Sequence, residues 1–70
     1  MRTAKGREFV PHQAANTWIS ADFADGTTGI VSLRGVQCTE AEWHDLLRIA
    51  GGFFADAWHW RDGRILRRKP

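Results

Sequence analysis

Residues 17–35 read TWISADF, ADG, TTGIVSLRG, and the pairing of this stretch decides the fold. Thr17 to Phe23 is β-branched and aromatic, and it alternates. Ile19, Ala21 and Phe23 share one face; Trp18, Ser20 and Asp22 share the other, the period of a half-buried strand. Ala24-Asp25-Gly26 is a turn signal, and Gly29 to Gly35 is a second strand. A two-residue Asp25-Gly26 loop would set Ile19 against Ser32 and Ala21 against Ile30, mixing the apolar faces. A three-residue loop with Gly26 in the left-handed region sets Ile19 opposite Val31 and Phe23 opposite Thr27, and aligns Leu33 with Thr17. Register follows the buried face, so the spacing predicts the second arrangement.

A helix follows. Thr39 and Glu42 have capping-box spacing, and Cys38 and Trp43 flank the cap as a hydrophobic staple. Glu40, Glu42 and Asp45 lie near the positive end of the helix dipole. Trp43, Leu46, Leu47 and Ala50 recur at helical spacing, and Gly51-Gly52 supplies the stop. The helix is therefore Glu40 to Ala50. Phe53 to Trp60 (FFADAWHW) reads as a third strand, Arg61-Asp62-Gly63 as a turn, and Arg64 to Lys69 as a fourth strand. A three-residue loop here would pair Trp60 with Arg64, Trp58 with Leu66 and Asp56 with Arg68, giving a cation–π, an apolar and an ionic pair. A two-residue loop would set Arg61 against Arg64. Residues 1–16 are mixed and polar, and Glu8-Phe9-Val10 offers at most an edge strand beside Pro11. The predicted fold is α+β over residues 1–70: a four-stranded antiparallel sheet of two hairpins, order β-β-α-β-β, with one helix on one face. Residues 1–16 form an irregular arm or an edge strand.

At 70 residues the chain is one domain at most. A domain this small buries only about 60% of its unfolded surface. It has one cysteine, Cys38, so no disulfide can form within it. His12, His44 and His59 share no metal-type spacing with Cys38. Four tryptophans and four phenylalanines remain as the source of packing. A lone cysteine fits a reducing cytoplasm. Arg2, Lys5 and Arg7 precede no apolar segment, so neither a signal peptide nor a membrane span is expected. A chain opening on Met1 reads as a free-standing small protein.

The charge is uneven. Arg2, Lys5 and Arg7 face only Glu8 at the start, and Arg61, Arg64, Arg67, Arg68 and Lys69 face only Asp62 at the end. Between them, Arg34 and Arg48 stand against Asp22, Asp25, Glu40, Glu42, Asp45 and Asp56. Basic ends invite an anionic partner.

One three-turn helix cannot cover both faces of a four-stranded sheet. The third strand is apolar on both sides, and Trp18 lies opposite Ile19. At least one aromatic set therefore lacks a cover, unless residues 1–16 fold over it or the sheet curls into a barrel. Large exposed apolar patches mark interaction sites, and Trp and Arg are hot-spot residues.

No catalytic constellation is legible. His44 and Asp45 are helix neighbours that do not face each other. Cys38 with His44 or His59 would make a thiol–imidazole pair, but the staple already explains Cys38. Glu40 and His44 lack a third metal ligand. Gly51-Gly52 follows a helix, whereas phosphate loops precede one. No cofactor is implied. The predicted function is a non-catalytic protein-binding module, a regulator or inhibitor, acting on another protein or on a second copy as a homodimer. Its partner-binding residues would be Trp18, Trp58, Trp60, His59, Arg61, Arg64, Arg67 and Arg68. The alternative is nucleic-acid binding by the C-terminal hairpin, whose arginines neutralise phosphates and whose indoles stack on bases. The bland reading of those arginines is a solvated edge strand that resists aggregation.

Overall fold

The first hairpin forms in the expected register. In the computed structural model, which describes residues 1–15, 17–51 and 54–68, β2 (Trp18–Phe23) pairs antiparallel with β3 (Thr28–Ser32), and Ile19 lies opposite Val31. Gly26 has φ 87°, the left-handed conformation that closes the loop. The Phe23 N–H donates to the Thr27 carbonyl at 2.9 Å and the Leu33 N–H to the Thr17 carbonyl at 3.1 Å. Ile19, Ala21, Val31 and Leu33 are all buried on one face.

The N-terminal residues do more than expected. β1 (Phe9–Ala15) is a seven-residue strand paired antiparallel with β2. The sequence offered an edge strand only at Glu8-Phe9-Val10, because Pro11 and the polar His12-Gln13 interrupt a propensity reading of the rest. Proline has no N–H to give and is confined to edges and bulges. Both conditions hold here, since β1 is an edge strand and its register slips between Pro11 and Gln13. Phe9 is buried and meets the Phe23 ring edge-on, with centroids 6.4 Å apart.

Helix α1 (Glu40–Ala50) carries the full capping box. The Glu42 N–H donates to Thr39 Oγ1 at 3.1 Å, and the Thr39 N–H donates to Glu42 Oε1 at 2.9 Å. Gly51 (φ 90°) ends the helix by donating its N–H to the Leu47 carbonyl. Trp43 and Leu46 are buried in the same core as Cys38 and the inner strand residues. Burying one such side chain contributes about 1.5–3 kcal/mol, which makes this cluster the main support of the fold.

The single four-stranded sheet does not form. The strands divide into a three-stranded sheet, order β1-β2-β3, and a separate pair, β4 (Trp58–Arg61) with β5 (Arg64–Arg67). Two causes are visible. First, Phe54–Ala57 is a helical turn, α2, and not strand. Ala55 and Ala57 are strong helix formers, and β propensity is too dependent on context to outweigh that over four residues. Second, β5 is hydrogen-bonded elsewhere. Gly35 donates to the Ile65 carbonyl, Ile65 to Val36 and Cys38 to Gly63, at 2.8, 2.9 and 2.9 Å. Gln37 and Arg2 in turn exchange N–H···O bonds of 2.7 and 2.8 Å, and Phe9 donates to Met1. The N-terminal segment and residues 35–38 thus stand between the hairpins and satisfy backbone groups that a continuous sheet would have paired. Gly52, Phe53 and Lys69, assigned above to the helix stop, the start of the third strand and the end of the fourth, lie outside the described residues.

Candidate functional site

The β4–β5 hairpin sets the orientation of nearly every predicted binding residue. Its loop has two residues, Asp62 (φ 51°) and Gly63 (φ 85°), both left-handed. This is the turn whose twist matches that of antiparallel strands, and Asp-Gly is a favoured sequence for it. The expected three-residue loop is therefore replaced, and Arg61 does lie opposite Arg64. Both arginines are exposed, where water weakens their repulsion, and the Asp62 carboxylate lies 3.8 Å from Arg61.

The altered register re-sorts the side chains. Trp60 faces Ile65 and Trp58 faces Arg67 on the inner side, while His59 faces Leu66 and Arg61 faces Arg64 on the outer side. Trp58 is 2% exposed, with the Arg67 guanidinium 5.3 Å from its ring centroid. Trp60 is half-buried and donates its indole N–H to the Cys38 carbonyl at 2.9 Å. Trp18 sits on β2 in the other sheet and is 36% exposed. The three predicted aromatic anchors are thus not brought together, and two of them face the interior. The expected Asp56–Arg68 pair is replaced as well. Arg68 donates its backbone N–H to Ala57 (2.8 Å) and its Nε to Ala55 (2.8 Å) and Trp58 (3.3 Å), placing a cation against the carbonyl end of α2.

What converges is a basic surface. His59, Arg61 and Leu66 of the outer side line an open depression of about 480 Å³ together with Arg67, which stands on the Trp58 side of β5, and Arg68; Arg64 stands across from Arg61. Among the described residues, Arg64 and Arg67 have no carboxylate partner, and Arg61 has only the long contact to Asp62. The half-buried Leu66 supplies an apolar element amid these cations.

A second basic site gathers the cations of the N-terminal end into a groove that their charge alone did not reveal. Thr3, Lys5 and Arg7 form one wall of an open groove of about 430 Å³; Ile30, Ser32 and Arg34 lie along its other side. Arg7 is held in place, its guanidinium 3.7 Å from the Phe23 ring centroid and 3.2 Å from Asp25. The Thr27 hydroxyl and N–H, both donating to Asp25, hold that carboxyl below its ordinary pKa, with Arg7 adding to the effect. Lys5-Gly6, with Gly6 at φ 91°, was the one local turn signal available in this segment.

Burial, and secondarily the Glu42 carboxylate, push the Cys38 thiol up to about 11, so it is protonated at neutral pH and a poor nucleophile. Among the described residues, no three His, Cys, Asp or Glu side chains gather as a metal site, and no helix is long and apolar enough to cross a membrane. No family model, curated protein or solved structure matches the chain.

Proposed function

We propose that this protein is a non-catalytic binding module that docks the outer face of its β4–β5 hairpin on an acidic surface of a partner protein. The reading rests on one observation: the Asp62-Gly63 turn places Arg61 and Arg64 beside His59 and Leu66 on an exposed face nearly without carboxylates. Arginine presents a planar fork suited to carboxylates in two-point contacts and is enriched in binding hot spots. Leu66 adds apolar area at the middle of the patch. Self-association through this face would oppose like charges, so the hairpin favours a different molecule over a second copy.

Nucleic acid is the second reading, supported by the same arginines, since guanidinium groups also neutralise phosphates. It is the weaker of the two because Trp58 and Trp60 face inward and offer no stacking platform. Fluorescence anisotropy decides between them. A labelled acidic peptide containing leucine and a mixed oligonucleotide pool are each titrated with the protein across a range of salt. Saturable peptide binding that survives moderate salt and is lost in R61E/R64E supports a protein partner. Oligonucleotide binding with a steep salt slope, and none to the peptide, transfers the function to nucleic acid. Retention of peptide binding by R61E/R64E in a chain that also carries K5E/R34E, which silences the basic groove lined by Lys5 and Arg34, refutes the assignment to this face.

A further inference from the structure

β3 is the outer strand of its sheet, and its free edge is not blunted. Strand edges are ordinarily protected by lysine, proline, bulges or a cover. Thr28–Ser32 reads TGIVS, with no charge and no proline, and Ile30 is 68% exposed. The ladder to β2 shows which backbone groups are spoken for. Thr27 and Leu33 bond towards β2. By strand alternation Gly29 and Val31 do the same, so Thr28, Ile30 and Ser32 direct their N–H and C=O groups to the open edge. Mutual approach with a second strand would satisfy them.

The groove runs beside this edge. At one end Gly35 lies against Ala4, a Cβ built on it coming within 3.0 Å of the Ala4 side chain. At the other end Arg7 reaches Asp25 and Thr27, at the start of β3. The N-terminal turn therefore borders β3 lengthwise, and the space between them stays open. Its walls carry Lys5 and Arg34, neither of which has an ion-pair partner among the described residues. A second copy of β3 would bring two such basic grooves together, so charge complementarity selects an acidic guest.

We infer that the free edge of β3 and the Lys5–Arg34 groove form a second binding site, which takes an extended acidic segment of a partner protein by strand addition. Main-chain bonds to Thr28, Ile30 and Ser32 supply affinity, and alternate side chains supply specificity. Guest residues beside Ile30 are apolar, and acidic ones meet Lys5 and Arg34.

The test uses a short, capped, fluorescent peptide alternating valine and glutamate, titrated against the full chain. The Ile30→Pro variant removes an N–H that does not serve the β2 ladder, so the fold survives while strand addition is blocked; circular dichroism checks that it is folded. Binding is expected to weaken at least about tenfold in I30P and again in K5E/R34E, and to be unchanged in R61E/R64E. That last variant separates this site from the hairpin face: loss there alone would assign the peptide to the hairpin and overturn the strand-addition site. Equal binding by wild type and I30P, or no saturable binding, overturns it too. So does a concentration-dependent dimer in sedimentation that I30P dissolves, since the occupant would then be a second copy.

Discussion

Replacing Glu42 tests how the helix cap and the N-terminal wall of the groove are held. The Glu42 carboxylate accepts from the Thr39 N–H at 2.9 Å through Oε1 and from the Met1 ammonium at 3.0 Å through Oε2. It joins the start of α1 to the segment that leads into Thr3–Arg7. E42A removes both contacts. Loss of a capping interaction costs about 0.5–2 kcal/mol. The ion pair adds at most about 1 kcal/mol, because the Glu42 side chain is 38% exposed and water screens it. The expected loss is about 1–2 kcal/mol, a fall in Tm of about 5–15 °C for a domain of this size. E42Q keeps an acceptor for Thr39 and loses only the charge, so it falls between wild type and E42A. The pH dependence has a definite sign. The Thr39 N–H bond first, and the Met1 ammonium with it, hold the Glu42 carboxyl below its ordinary value of 4.5. The folded state then binds fewer protons than the unfolded state in that window. The stabilisation is fully present above about pH 4.5 and is lost as pH falls through the lowered folded value. Urea unfolding of wild type and E42Q at a series of pH values reads both effects. The gap between the two should close below pH 4.5. A gap that persists at acid pH, or E42A as stable as wild type at neutral pH, refutes the role given to this carboxylate.

Further outcomes follow from single contacts. Gly35→Ala places a Cβ 3.0 Å from that of Ala4 at φ 81°, so thermal unfolding should show a loss of about 1–3 kcal/mol. Trp60→Phe leaves the Cys38 carbonyl without its indole donor and should cost about 1–3 kcal/mol, read by urea titration. Cys38 should resist a thiol reagent at neutral pH in the native protein and react at once in denaturant; rapid native labelling would contradict its burial.

How much was legible depended on how strongly local signals agreed. The Thr39–Glu42 box and the Gly51 stop bracket α1 without any tertiary information. The first hairpin was legible because a one-residue slip would have turned Ile19 and Val31 to opposite faces. The second hairpin offered two plausible registers, and the Arg61–Arg64 repulsion outweighed turn twist in the sequence reading. In the fold the turn prevails, because exposed like charges cost little in water. That slip matters for the site. It moves Arg64 and Leu66 away from the tryptophans and onto the side of His59 and Arg61. Phe54–Ala57 misled because alanine and phenylalanine suit either period over so short a run. The edge strand was legible only at Glu8-Phe9-Val10; its run to Ala15 and the basic groove stayed hidden because they arise from long-range pairing of Arg2 with Gln37 and of β1 with β2, to which local patterning is blind.

The separation of the Trp58 and Trp60 indoles inward from Arg61 and Arg64 outward is open to one direct reading. Arginine Nε–H and tryptophan indole N–H signals are followed by NMR while an acidic, leucine-containing peptide is added. The hairpin reading predicts progressive, saturable shifts at Arg61 and Arg64, with the indole signals of Trp58 and Trp60 nearly still. Large movements of those indoles, with the two arginines unmoved, would contradict it.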